Sequence, residues 1–395
     1  MNFPGDAMPL LLSILLLTAI APEPPAPSTP PPNPPPAAPT EASEPTREYV
    51  LRQDPISDVI DRARSCLGPE FRVYEERYWI VLTDADYASI KHIHHDLKAT
   101  RHQFNRLCQI LGSVRPMPRH KMLCIVFRDH RAFTDFASTC GRIPSNVSPA
   151  IGGFFSPVDQ WIVFYEPRGM PALVDAREQI RTARDELEEY EERNERTESA
   201  PLIEERQRKA AESWNRHLEQ QRNRLDRIEQ ELRTSITTHE AFHQLSWLAG
   251  FVDSRGGWGY WLHEGFATCF ETDDTAYAFG PAHESRLRLD GFRSALAANE
   301  LMPLRTLLTF HNFADVPPER ITVFYNQSYA LVRWLYRFRR TQLNNYLRSL
   351  RERRDLEFPR DFIPAFEDAF GPIDRLERRW LRDEMDQWDA SRRDP

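Results

Sequence analysis

From Leu173 to Leu232 apolar residues return at steps of three and four. They fall at Leu173, Ala176, Ile180, Ala183, Leu187 and Tyr190, then at Ala211, Trp214, Leu218, Leu225, Ile228 and Leu232, with Gln221 filling one step. Charged residues crowd the positions between. The spacing predicts two helices of about 25–30 residues, broken at Thr197–Pro201 and folded into an antiparallel coiled-coil hairpin. Leu232, Ile236, His239 and His243 continue the stripe, so the second arm leads directly into the next helix. Upstream the period shortens. Phe71 to Leu82 alternates and ends on aromatic and β-branched residues, which predicts a hairpin or a long strand. Lys121–Phe127 and Gln160–Tyr165 are short apolar runs suited to strands, with helical periodicity at Ala88–Leu111 between the first two. Downstream, Ser285–Asn299, Pro303–Phe310, Val323–Arg339 and a tail carrying Phe366, Phe370, Leu376, Trp380 and Leu381 read as amphipathic helices. The expected class is α+β: a mixed-sheet part over 49–171, the hairpin inserted at 172–235, and a mostly helical part over 236–390.

The amino terminus follows other rules. Leu10 to Ala21 is an apolar run ending in Ala19-Ile20-Ala21, which fits a signal peptide over 1–21 and is too short to span a bilayer. No Lys or Arg precedes the run and Asp6 is acidic, so cleavage and retention as an anchor both stay open. Twelve prolines between Pro22 and Pro45 make 22–48 a linker with no means of burying a core. It acts either as a stalk tethering the folded part to a membrane or cell wall, or as a free tail. The expected location is therefore outside the cytoplasm: periplasmic, cell-surface or secreted. A net charge of −8 argues against nucleic acid as a partner. Five cysteines, Cys66, Cys108, Cys124, Cys140 and Cys269, leave at least one outside any intrachain pairing, and none has metal-ligand spacing.

The candidate chemistry sits where the coiled-coil stripe ends. His239, Glu240 and His243 form H-E-x-x-H. Four residues apart on a helix, the two imidazoles project from one face and reach one Zn²⁺, while Glu240 leans over the ion without binding it. A catalytic zinc needs a third ligand and an open position. Glu264, twenty-one residues past His243 within Trp261-Leu262-His263-Glu264-Gly265-Phe266-Ala267, supplies a carboxylate. Gly256, Gly257 and Gly259 offer the turn that lets a second helix fold back. The His92, His94 and His95 cluster points in different directions on its helix and reads as a solvated face.

H-E-x-x-H followed by W-L-x-E-G-F-A-x-x-x-E resembles the gluzincin metallopeptidases, the group of thermolysin and the membrane alanyl aminopeptidases. The layout is also similar to secreted, largely uncharacterised bacterial proteins of gluzincin type. The resemblance spans Thr237 to Leu335. It implies a gluzincin-like zincin fold, His239, His243 and Glu264 as zinc ligands, and Glu240 as general base for a zinc-activated water. Tyr325-Asn-Gln-Ser-Tyr-Ala-Leu-Val-Arg-Trp-Leu335 is similar to the segment whose tyrosine stabilises the tetrahedral intermediate, with Gln327 and Ser328 in place of its Lys-Gly pair. Tyr325 is therefore the expected phenol and Tyr329 the runner-up. Glu271 faces the same way as Glu264 and either orients a ligand histidine or stays at the surface. The β-α-β order upstream implies a strand that pairs with extended substrate, with Gly152–Tyr165 as its candidate wall. The aminopeptidases carry an acid in a G-x-M-E-N loop; Gly152-Gly-Phe-Phe-Ser156 has none, which points to an endopeptidase acting on peptides or proteins.

The competing reading is a scaffold that binds zinc without catalysis and meets a protein partner through the hairpin and the proline-rich stalk. A zinc hydrolase acting on another amide or ester is a third. Glu240 favours an enzyme, because a structural zinc site tends to be closed and has no use for a free acid beside it.

Overall fold

A computed structural model of the chain describes residues 18–20, 56–112, 120–145, 147, 151–196, 201–251, 259–311, 313, 317–352 and 361–393. The expected linker, most of the expected signal peptide and the Gly256-Gly257 turn lie outside these residues.

The chain is α+β and mostly helical. Strands β2 (Arg72–Glu75), β3 (Trp79–Thr83), β4 (Met122–Phe127), β5 (Gly153–Ser156) and β6 (Trp161–Tyr165) form a small mixed sheet in the order β5-β6-β4-β3-β2. A three-residue strand, β1 (Thr18–Ile20), runs parallel to β5 at its edge. The Phe71–Leu82 segment forms the antiparallel hairpin β2–β3, with Val73 opposite Leu82. Strands β3, β4 and β6 are mutually parallel, and β5 returns antiparallel to β6. Every residue of β3, β4, β5 and β6 is buried, which is why β4 reads as an unbroken apolar run rather than an alternation.

Helices α1 (Ile56–Arg64), α2 (Tyr87–Ile110) and α3 (His130–Thr139) accompany the sheet. Asp86 caps α2 by accepting from Ser89 N at 2.9 Å, and Asp129 caps α3 from Ala132 N at 2.8 Å. The sequence reading anticipated α2 but neither α1 nor α3. A disulfide joins Cys66, just past α1, to Cys140 at the end of α3, across 74 residues. Closing a loop of that length restricts the unfolded chain by about 4 kcal/mol. Replacing both cysteines by serine is expected to lower the urea midpoint by an equivalent stability loss, with the denaturant slope as the check that cooperativity is retained. Cys108, Cys124 and Cys269 are buried and outside this disulfide.

The hairpin consists of α4 (Pro171–Glu195) and α5 (Pro201–Leu248). Away from the main core its arms close on a small cluster of their own: Leu187, Ala211 and Leu218, flanked by Ala183, Tyr190 and Trp214. Nearer the body Arg177 of α4 donates through Nε to Glu229 at 2.9 Å and through Nη2 to Asp226 at 2.9 Å. No break separates the second arm from the H-E-x-x-H segment. Helix α5 is 48 residues long, about 72 Å at 1.5 Å per residue.

Its last third is pinned across the sheet. Gln244 donates to Leu123 O at 2.9 Å and Gln160 O at 3.0 Å, and accepts from Trp79 Nε1 at 2.9 Å. These contacts lie where β3, β4 and β6 begin. At the opposite end Arg233 Nε meets Glu166 just past β6 at 2.9 Å. Helix α5 therefore runs antiparallel to those three strands, and its position along the sheet is set at both ends. The other helices are α6 (Tyr260–Phe270), α7 (Arg286–Ala297), α8 (Leu304–Thr309), α9 (Pro318–Phe338), α10 (Arg340–Glu352), α11 (Phe362–Phe370) and α12 (Ile373–Arg393). Phe104 of α2, Phe242 of α5, Phe251 and Phe266 of α6 join sheet side to helical side, with Phe242 between 4.7 and 6.3 Å from its aromatic neighbours. Among the described residues no helix is long and apolar enough to cross a membrane.

Candidate metal centre

Helix α6 brings Glu264 to the two histidines because it is buried on all sides. Every residue from Trp261 to Phe270 is buried, so it packs as a core helix rather than along a surface. Gly265 makes the close approach to α9: a Cβ there would lie 2.7 Å from Ser328 O. With α6 held under α5 and α9, the Glu264 carboxylate meets the two histidines.

His239 Nε2 lies 3.1 Å from His243 Nε2 and 3.3 Å from Glu264 Oε2, and His243 Nε2 lies 3.5 Å from the same oxygen. An ion held at about 2.0–2.1 Å in tetrahedral geometry has neighbouring ligand atoms roughly 3.3–3.4 Å apart. The triangle therefore fits one Zn²⁺-sized ion. It is the one such group of His, Cys, Asp and Glu found among the described residues. His239 and Glu264 are fully buried and His243 is 3% exposed.

Burial opposes the charge on His239, but hydrogen bonds and charge from Glu264 and Glu271 outweigh it and raise the imidazole to about 10. For His243 burial prevails and lowers the ring. Burial alone would raise Glu264, yet the two histidines hold it far below the usual carboxylate range. A field that retains a proton on His239 is one that attracts a cation. His263, buried beside these groups and pushed down to about 3 by burial and by His243, is outside the ligand triangle.

Glu240 differs from the ligands. It is fully buried, and among the described residues neither carboxylate oxygen has a hydrogen-bond partner. Burial raises it well above the carboxylate range; His239 works against the shift, while Glu264 and Glu271 add to it. A buried acid without a donor is costly and is retained where something else uses it. Across from it lies the start of β5. A Cβ added at Gly153 would sit 3.1 Å from Glu240 Cγ and 3.0 Å from Val163 O. Gly152–Tyr165 thus abuts the acid at a position where an added Cβ is crowded. Gly153→Ala is expected to destabilise the fold by about 1 kcal/mol, read as a lower urea midpoint.

Glu271 is an orienting residue, resolving the alternative left by the sequence. His239 Nδ1–H donates to Glu271 Oε1 at 2.9 Å, which fixes the tautomer and turns Nε2 toward the ligand triangle. Arg288 of α7 grips the same carboxylate through Nε at 2.6 Å and Nη2 at 2.8 Å.

Tyr325 lies beside the site, its ring centre 6.4 Å from that of His239 and stacked on Phe313 at 6.0 Å. Tyr329 turns elsewhere, its hydroxyl accepting from Ser285 N at 2.8 Å. Gln327 exchanges two hydrogen bonds with the Met302 backbone, a structural use for the residue that departs from the family segment. His92 and His95 are exposed as expected, whereas His94 is largely buried, lies 3.6 Å from Glu76 and is lowered by burial, so it departs from the solvated face. Sequence reasoning missed Arg288 and Asn326, which carry no motif signal. The contact between Gly153 and Glu240 was foreshadowed only by the Gly-Gly pair next to a strand.

No curated protein and no solved structure matches the chain. A family described as "Protein of unknown function (DUF1570)" matches residues 233–357, about a third of the chain. That segment of this chain contains His239, Glu240, His243, Glu264, Glu271, Arg288 and Tyr325, so the matched region spans the candidate metal centre.

Proposed function

We propose that this protein is an exported zinc metallopeptidase of gluzincin type that cleaves peptide bonds within extended chains. The observation that carries the reading is Glu240: a fully buried, hydrogen-bond-free carboxylate beside a three-ligand set. Such a group burdens a purely structural zinc site and is the requirement of a hydrolytic one.

His239, His243 and Glu264 would hold the ion. A zinc ion at this position supplies Lewis-acid polarisation and makes hydroxide accessible near neutral pH. The protein's own groups do the rest. Glu240, fully buried beside the three-residue group, would in its ionised form accept the proton of the attacking water and pass it to the leaving amine. The Tyr325 phenol is the donor for the developing oxyanion, a contribution of about 3–4 kcal/mol for such a donor. The outer edge of β5 is taken by β1, Thr18–Ile20, which lies within the expected signal peptide; removal of that segment would open the β5 backbone to an extended substrate, with Gly153 next to Glu240. Gly153, Phe154, Phe155 and Ser156 include no acid to capture a substrate amino terminus, which supports internal cleavage over aminopeptidase action. The Cys66–Cys140 disulfide supports an oxidising compartment outside the cytoplasm.

The test is digestion of an unbiased peptide library by the zinc-loaded protein and by Glu240→Gln. Internal cleavage by the wild type alone is expected. Equal products from both proteins would remove Glu240 as the base. Zinc binding without cleavage by either would favour the non-catalytic scaffold.

A further inference from the structure

Arg288 is among the largest fully buried side chains, at 1% exposure. A buried guanidinium needs partners for its whole donor fork. Here two edges of the fork are occupied by two different parts of the metal centre. Nε and Nη2 clamp the two oxygens of Glu271 at 2.6 and 2.8 Å, and Nη1 donates to Asn326 Oδ1 at 3.3 Å. The guanidinium carbon also lies 5.5 Å from the ring centre of Tyr325. Asn326 packs directly against α7: a Cβ on Gly291 would fall 2.2 Å from its Nδ2. One side chain on α7 therefore touches the acid that orients His239 and two consecutive residues of the helix carrying the expected phenol.

We infer that Arg288 is a positioning residue that holds the Glu271–His239 pair and the Tyr325 end of α9 as one unit. Bidentate pairing fixes the plane of the Glu271 carboxylate as well as its distance. His239 is aimed only as firmly as that plane is held, because the same Oε1 accepts from its Nδ1 at 2.9 Å. An ammonium in place of the guanidinium keeps the charge and loses the fork, so lysine is not a conservative exchange here. The inference rests on the metal reading and extends it to a residue that touches neither ion nor substrate.

The experiment measures zinc affinity by competition with a chromophoric chelator, beside the melting temperature in excess chelator. Arg288→Lys is expected to bind zinc 10–100-fold more weakly, the usual consequence of losing an outer-shell partner. Glu271→Gln should show a loss of similar size, and the double variant no more than either single one. Wild-type zinc affinity in a folded Arg288→Lys protein overturns the inference and leaves the metal site intact, as do losses that multiply in the double variant. A merely structural arginine would lower the melting temperature alone. Should Arg288→Lys not fold, Asn326→Ala decides: a few-fold loss of zinc affinity supports the inference, and none overturns it. A wild-type protein that binds no zinc overturns both the inference and the reading beneath it.

Discussion

Glu240→Gln should retain zinc and the fold while cleaving peptides about 10²–10⁴-fold more slowly, the range assigned to a positioned proton acceptor. The substitution is nearly isosteric, and neither oxygen of Glu240 has a partner to lose. The wild-type carboxylate is buried, raised by desolvation, and flanked by Glu264 and Glu271. An amide in the same place removes that burden. The variant is therefore expected to melt at a temperature equal to or higher than the wild type, since relieving a catalytic strain commonly stabilises the fold. Zinc content by metal analysis, melting temperature and kcat on one identified peptide give three independent readouts. Lower kcat with zinc and stability preserved is the expected combination. Unchanged kcat would place proton transfer elsewhere, and loss of zinc would make Glu240 part of the ligand field rather than its neighbour.

The ligand set was legible because it depends on local geometry. Histidines four positions apart are one turn apart wherever the helix lies, and the helix itself was visible in the stripe running from Leu218 through Ile236. Glu264 was legible through its surrounding motif; the spacing to His243 alone does not say that α6 folds under α5. That folding depends on a helix buried on all sides and on Gly265, whose role appears only when Ser328 is seen against it. Gln244 shows the same limit. One glutamine fixes the metal helix on the sheet by reaching the starts of three strands at sequence separations of 84, 121 and 165 residues, and no local pattern announces such contacts. The pairing of Cys66 with Cys140 was equally closed to the sequence, since five cysteines leave every pairing open until α1 and α3 are placed together. Helices α1 and α3 were missed for a simpler reason. They have 9 and 10 residues, too few turns for a periodicity to stand out from the loops around them.

Removing one ligand is expected to uncouple zinc from stability. An ion that binds only the folded chain stabilises it by RT ln(1 + [Zn²⁺]/Kd), about 4 kcal/mol at a thousandfold excess over Kd. For a chain of this length that corresponds to a rise in melting temperature of about 5 °C. Wild-type protein should show that rise on adding zinc and lose it in chelator. Glu264→Ala leaves two imidazole nitrogens 3.1 Å apart without the carboxylate that completes the triangle. His243→Ala leaves one imidazole and the carboxylate. Neither pair holds an ion as three ligands do, so both variants should melt at the same temperature with and without zinc, within about 1 °C on the same scale. Glu271→Gln is the control that separates ligand from support: it keeps all three ligand atoms and should retain a reduced shift. A full zinc shift in Glu264→Ala would mean that the stabilising ion binds elsewhere, and the convergence of α5 and α6 would then have another explanation.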